Sequence, residues 1–101
     1  MLLTDPRIRA AYAEGAGVYR IVPAAVAIPQ TTTDVVALVQ QAAGSRTTLT
    51  PRGSGSGMPC GNVGPAAIVD MSTGFSELTV DPQNRTARAG AAGTWAQGKD
   101  A

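Results

Sequence analysis

Residues 47–62, TTLTPRGSGSGMPCGN, lead from a short extended segment into a loop crowded with glycine. The first five residues predict a strand that the proline at its end terminates. Glycines follow at positions 53, 55, 57 and 61. Glycine tolerates positive φ and places no side chain between the backbone and a ligand, so successive amide groups can form one anion-binding cradle. The stretch therefore favours a diphosphate-binding loop, with a mobile connection between two strands as the alternative.

The loop offers backbone amides, hydroxyl groups and a side-chain amide as phosphate donors. The candidate cofactor-binding residues are Arg52, Gly53, Ser54, Gly55, Ser56, Gly57, Met58, Gly61 and Asn62. Arg52 has two interpretations, because it either lies near the phosphates or braces the loop. Cys60 is more typical of a small filler than of a reactive thiol, since no base or cationic neighbour is identifiable.

Two well-known phosphate loops do not fit this stretch. A P-loop ends in Gly-Lys-Ser/Thr, whereas Met58 and Pro59 follow Gly57 here. A dinucleotide fingerprint of the Rossmann type opens a helix, which the prolines and glycines of residues 59–65 prevent. The loop is therefore expected to run from strand to strand.

A βαβ unit is predicted to lead into the loop. Residues 25–29 form an apolar run that ends at a proline and indicates a buried strand. Thr31 and Asp34 form a capping-box pattern, with Asp in place of the usual Glu. The helix that follows has a stripe of Val35, Leu38, Val39 and Ala42 and is expected to end at Gly44. The strands on either side of this helix should be parallel.

Further elements are predicted on both sides of this unit. Asp5 and Pro6 are typical of a helix start, and the helix should end at Gly15 or Gly17. Residues 67–71 predict a third strand, and two alternating segments around residues 78–80 and 87–89 predict a hairpin whose turn is 82–85. Another helix is expected to start at Thr94. The predicted fold class is α+β, with a βαβ unit followed by further strands.

Composition limits the possible functions. The chain has 101 residues, 44% hydrophobic and 15% charged, with a net charge of +1, one cysteine and no histidine. These values predict one domain or part of one, without a nucleic-acid footprint, an internal disulfide or a transmembrane segment. The lack of histidine excludes Ser-His-Asp and Cys-His catalysis within the chain, and no metal site is expected. A cytoplasmic protein is the default expectation.

Several segments, taken in order, are similar to one family. Residues 11–19 with Pro23 are similar to its pattern Y-x-x-D-A-S-x-Y…P, residues 25–35 to A-V-V-x-P-x-S/T-x-x-D-V, and residues 50–57 to P-R-G-x-G-T-G. Residues 67–72 and 80–91 are similar to the strands that follow. The chain thus resembles the PCMH-type FAD-binding domain of the vanillyl-alcohol oxidase superfamily, and most closely the D-lactate dehydrogenase and glycolate oxidase flavoprotein branch. The resemblance extends from about residue 5 to 96, and Gly15 departs from the family's usual Asp.

The resemblance implies that residues 1–101 are the N-terminal portion of such a domain, its first subdomain. FAD would lie with its pyrophosphate along residues 53–57 and would be bound non-covalently, because Ser56 stands where some relatives have a flavin-linked histidine. The complete protein would oxidise a 2-hydroxy acid such as D-lactate or glycolate and pass electrons to an acceptor partner. It would lie in the cytoplasm or peripherally at the inner membrane.

No catalytic residue is assigned within the chain, which is expected to be inactive alone. Two alternatives from other classes are a non-catalytic FAD-binding fragment and a generic nucleotide- or phosphate-binding module.

Overall fold

Helices and strands alternate in the first half of the chain and strands predominate in the second. The computed structural model describes residues 2–58 and 60–93. The elements are α1 Pro6–Ala11, β1 Ala25–Ala27, α2 Thr32–Ser45, β2 Leu49–Arg52, β3 Ala67–Asp70, β4 Leu78–Asp81 and β5 Thr86–Ala89. This mixture of helix and strand is compatible with the predicted α+β class. The helix predicted at Thr94 and the residue Trp95 lie outside the described residues.

The first three strands form a parallel sheet in the order β1-β3-β2. The expectation that β1 and β2 run parallel is confirmed, but the two strands do not pair with each other, because β3 lies between them. Every residue of β3 is buried, as a central parallel strand requires. Pro51, which has no N–H to donate, lies in the edge strand β2. The carboxyl ends of β2 and β3 therefore lie side by side where the glycine-rich loop begins.

The predicted capping box at the start of α2 is confirmed. The Thr31 hydroxyl accepts a hydrogen bond from the backbone N–H of Asp34 at 3.2 Å. The Asp34 carboxylate accepts from the backbone N–H of Gln30 at 3.0 Å and of Thr31 at 3.2 Å. The bond from Gln30 is the main cause that lowers the pKa of Asp34 below its usual value. Together these bonds satisfy N–H groups at the helix start that would otherwise lack partners.

The expected end of α2 at Gly44 is wrong. The helix continues through Ser45, and Arg46 caps it in the left-handed conformation with φ 55°, donating its N–H to the carbonyls of Ala42 and Ala43. The Ser45 hydroxyl donates to the carbonyl of Gln41 at 2.9 Å. The left-handed residue that ends the helix is thus Arg46 and not Gly44, whose φ is not positive.

The helix packs on the sheet through a narrower stripe than the sequence pattern indicates. Leu38 and Ala42 are buried, whereas the side chain of Val39 is 53% exposed. Leu38 packs against Ala27 of β1 and Val69 of β3. Val26 and Ile68, which alternate with these strand residues, are fully buried. Most of the stabilisation of this small sheet therefore comes from short aliphatic side chains.

The first helix is shorter than predicted. Asp5 is its N-cap and Pro6 its first residue, as expected, but it ends at Ala11 with Tyr12 as C-cap. The prediction of an end at Gly15 or Gly17 is therefore wrong. After Tyr12 the chain turns back on itself, and the backbone N–H of Ile21 donates to the carbonyl of Ala13 at 2.9 Å. This tertiary contact replaces the last turns of the expected helix.

The hairpin of β4 and β5 is confirmed, with Leu78 opposite Ala89 and Val80 opposite Ala87. Its turn is stabilised by Asp81, which accepts hydrogen bonds from the side chain of Asn84 at 2.7 Å and from its backbone at 3.3 Å. The hairpin leads into residues 91–93, which return to the glycine-rich loop.

Substitution Thr31→Ala should lower the free energy of unfolding by about 0.5–2 kcal/mol, because it removes the oxygen that caps α2. Urea unfolding followed by far-UV circular dichroism measures the change. The matched control is Thr33→Ala, which removes the same atoms from an exposed residue of the first turn. Equal losses in the two variants would show that the cap does not stabilise the helix.

Candidate functional site

The glycine-rich loop forms one wall of an open cleft of about 230 Å³. Residues 53–58 follow β2 without forming a helix. Residues 91–93 form the opposite wall. The described residues that line the cleft are Gly53, Ser54, Gly55, Ser56, Gly57, Asn62, Ala91, Ala92 and Gly93.

The structure brings together six of the nine candidate residues proposed from sequence. Arg52, Met58 and Gly61 are not among the residues lining the cleft, although all three flank it in sequence. The far wall, residues 91–93, was missed. Small residues at these positions carry no distinctive chemical signal, and only the position of a run of Ala and Gly directly after a hairpin could have indicated them.

No acidic or basic side chain lines the cleft in the described part of the chain, although the Arg52 guanidinium lies close to Gly55. The side-chain donors of the cleft are two hydroxyl groups and one amide, whereas the N–H groups of Ala92 and Gly93 are already donated to the carbonyls of Phe75 and Gly90. The hydroxyl oxygens of Ser54 and Ser56 lie 3.0 Å apart and share a hydrogen bond. Such a set of donors can bind an anion by directed hydrogen bonds, without an ion pair.

Asn62 connects the loop to the segment beneath it. Its side-chain nitrogen donates to the carbonyl of Gly57 at 3.4 Å. Its side-chain oxygen is buried and has no hydrogen-bond partner among the described residues. A Cβ atom on Gly15 would collide with this oxygen. Asn62 therefore lies close against the backbone of Gly15, at a place where no larger residue would fit.

Gly17 and Cys60 approach each other as closely as Gly15 and Asn62 do. A Cβ atom on Gly17 would collide with the sulfur of Cys60. Between the two glycines, the backbone N–H of Ala16 donates to the carbonyl of Gly55 at 2.9 Å. Residues 15–17 thus form a floor under the loop. Cys60 packs against this floor as a filler, in agreement with the interpretation favoured from sequence.

Tyr12, Arg52 and Asp70 form a polar cluster beside the loop. The hydroxyl of Tyr12 donates to the carboxylate of Asp70, which is 7% exposed. Ser72 donates to the same carboxylate from its backbone at 2.9 Å and from its hydroxyl at 2.6 Å. The guanidinium carbon of Arg52 lies 5.4 Å from the centre of the Tyr12 ring. Arg52 therefore faces this cluster, in agreement with the bracing interpretation.

The cluster favours an ionised Asp70 and a neutral Tyr12. Burial opposes ionisation of Asp70, but the bonds from Ser72 and Tyr12, together with the charge of Arg52, outweigh burial and hold its pKa below the usual value. Burial, then the bond to Asp70 and its negative charge, raise the pKa of Tyr12 to about 12. The hydroxyl consequently remains a donor throughout the neutral range.

Substitution Tyr12→Phe should lower the free energy of unfolding by about 1–3 kcal/mol at neutral pH, because a buried carboxylate loses a donor. Tyr19→Phe, at a residue that is 66% exposed, is the matched control and should have little effect. Urea unfolding measures both. Equal losses in the two variants would contradict the role of the Tyr12 hydroxyl.

The difference in the free energy of unfolding between wild type and Tyr12→Phe should also depend on pH. The pKa of Asp70 is lowered on folding, so its contribution is present above the unfolded pKa of about 3.9 and is lost as pH falls through the folded value. The pKa of Tyr12 is raised on folding, so its contribution is complete below about pH 10 and is lost as pH rises toward 12. A difference that stays constant from about pH 3 to pH 11 would contradict this linkage.

Comparison with known proteins identifies the family of the chain. Neither described helix has the length and apolar character needed to cross a membrane. No curated protein gives a significant match. The family model described as an FAD binding domain matches residues 23–100, which include the parallel sheet, the glycine-rich loop and the hairpin. The chain therefore belongs to the FAD binding domain family.

Proposed function

We propose that the cleft holds the diphosphate bridge of FAD by non-covalent contacts, and that the chain is the FAD-binding portion of a flavin-dependent oxidoreductase. The observation that carries the proposal is the cleft that glycines, two serines and Asn62 line opposite residues 91–93, in a chain that belongs to an FAD-binding family. FAD presents negatively charged phosphate oxygens to accept hydrogen bonds from these residues.

The backbone of the loop fits a phosphate ligand. Gly55 has φ 76°, in the left-handed region that favours glycine, and Gly53 and Gly57 add no side chain at their own positions on that wall. The hydrogen bond between the hydroxyls of Ser54 and Ser56 occupies one of their two protons, so the other proton is free to be donated to an anion.

Non-covalent binding is supported by the chemistry of the nearby side chains. The cleft contains only serine hydroxyls and one amide as side-chain functional groups in the described chain. The Cys60 sulfur packs against Gly17 and does not line the cleft. Ser56 occupies the position at which some relatives carry a flavin-linked histidine.

For the complete protein, we propose oxidation of a 2-hydroxy acid of the D-lactate or glycolate type, with an electron-acceptor partner. This part of the proposal is based on the resemblance of residues 50–57 and their flanking segments to that branch of flavoproteins. When bound, the flavin would supply the hydride-accepting chemistry. The residues of this chain bind and orient the cofactor, and none of those lining the cleft in the described part can transfer a proton.

Substitution Ser56→Asp should weaken FAD binding at least about ten-fold, because it places a carboxylate in a cleft that would hold negatively charged oxygens. Quenching of flavin fluorescence on titration with protein measures the dissociation constant. Ser56→Asn is the matched comparison, because asparagine has nearly the same size as aspartate and no charge, and it should weaken FAD binding less than Ser56→Asp does.

Riboflavin, which has no phosphate, serves as a second ligand for the same variants. Its binding should be weak and should not distinguish Asp from Asn at residue 56. If FAD binds both variants equally well, the cleft does not hold the diphosphate. If ADP binds the wild type and FAD does not, a generic nucleotide-binding module is the better description.

The chain with FAD supplied should not oxidise D-lactate or glycolate in the presence of an artificial electron acceptor, because its cleft contains no acid–base group among the described residues. Acceptor reduction measured by absorbance tests this prediction. Substrate-dependent reduction that exceeds that of free FAD would show that the chain itself carries catalytic residues.

A further inference from the structure

Arg52 lies at the junction between β2 and the glycine-rich loop and is held on several sides. Its backbone carbonyl accepts a hydrogen bond from the N–H of Met71 at 2.8 Å. Its guanidinium group lies over the ring of Tyr12 and donates to the carbonyl of Tyr12 at 3.5 Å. The side chain therefore points toward Tyr12 and is not among the groups that line the cleft.

The same guanidinium group is in close contact with the loop at Gly55. A Cβ atom on Gly55 would lie 2.7 Å from the Arg52 Nη2 atom and 3.0 Å from its Cζ and Nε atoms. The planar group thus covers the place that a side chain of residue 55 would take. Gly55 has a second contact, because its carbonyl accepts a hydrogen bond from the N–H of Ala16 at 2.9 Å. The left-handed turn at Gly55 is therefore held between Arg52 and the floor of the loop.

The position of Arg52 depends in turn on the sheet. Asp70, at the end of the central strand, accepts the hydroxyl of Tyr12, and the Tyr12 ring faces Arg52. A continuous series of contacts thus runs from the sheet through Asp70, Tyr12 and Arg52 to Gly55. A guanidinium group suits this place because it is planar, can stack on an aromatic ring and offers several donors in fixed directions.

We propose that Arg52 is a positioning residue for the FAD diphosphate, which fixes the loop through Gly55 and makes no ion pair with the phosphates. The inference rests on the proposed function of the cleft. A basic residue at this position would suggest that its positive charge binds the phosphates. In this proposal, neutral hydrogen-bond donors bind them instead. FAD affinity should consequently depend on the shape of the Arg52 side chain more than on its charge.

Two substitutions separate shape from charge. Arg52→Lys keeps the charge but loses the guanidinium plane and its fixed donors, whereas Arg52→Gln is shorter and has fewer donors, so it loses both the guanidinium shape and the charge. Arg88→Lys, at an exposed arginine of β5, is the matched control. The dissociation constant for FAD is measured for each protein between about 50 and 500 mM salt.

Both Arg52 variants should bind FAD about ten-fold more weakly than wild type, because a loop that is not preorganised must be ordered on binding. Their salt dependence should equal that of wild type, since no ion pair is lost. Wild-type affinity in Arg52→Lys, or a shallower salt dependence in Arg52→Gln alone, would overturn the proposal in favour of a direct ion pair with phosphate.

Hydrogen exchange of the protein without FAD provides a readout that does not depend on the ligand. The amides of residues 53–57 should exchange faster in both Arg52 variants, while those of β4, used as internal reference, should not change. Unchanged exchange at 53–57 would overturn the positioning role, and faster exchange in both segments would indicate a general loss of stability and also overturn it. If wild type fails to bind FAD, the proposed function fails, and the exchange experiment alone decides whether Arg52 positions the loop.

Discussion

The buried carboxylate of Asp70 is the interaction on which the shape of the site depends. A carboxylate that is 7% exposed must be hydrogen-bonded, and Asp70 accepts from both Ser72 and Tyr12. Because Asp70 ends the central strand of the parallel sheet, the bond from Tyr12 fixes the N-terminal segment to the edge at which the loop begins. The backbone of Ala16 then supports the loop from below through its bond to Gly55.

Close approach of backbone segments is a second constraint, and it applies at particular glycines only. At residues 15 and 17 a side chain would collide with Asn62 and Cys60, and at residue 55 it would collide with Arg52. At Gly61 and Gly44, by contrast, an added Cβ would meet open space. The glycines of the floor and of the left-handed turn therefore support the loop by close packing, and Gly64, Gly74 and Gly90 are equally restricted elsewhere in the fold.

Local patterns in the sequence predict the local structure well. The capping box at Thr31, the hairpin turn near Asp81 and the non-helical loop after Arg52 all depend on interactions between residues close in sequence. What could not be predicted depends on distant contacts. Periodicity does not reveal that β3 lies between β1 and β2, and the early end of α1 involves a tyrosine whose partner is 58 residues away.

The candidate site shows the same division. Six loop residues were predicted because glycine and serine in a short stretch have an evident chemical purpose. The opposite wall, Ala91 to Gly93, was not, since alanine contributes to a cleft only through its small size and its position in the fold. The bracing role of Arg52 was one of two alternatives that a sequence leaves open, because only the packing of Tyr12 against it shows where the guanidinium group lies.

A cleft that binds an anion by neutral donors makes a stricter demand on geometry than a cluster of cations does. A cation attracts phosphate over a long distance and tolerates displacement, whereas an N–H group must point at its acceptor to contribute. Under the proposed function, the contacts of Arg52 and Ala16 with Gly55 would meet this demand. The redox chemistry belongs to the flavin, so a binding domain needs to contribute only a firmly held set of donors. The net charge of +1 therefore indicates little about the function of this chain. The glycines of the loop and the contacts that hold them are more informative.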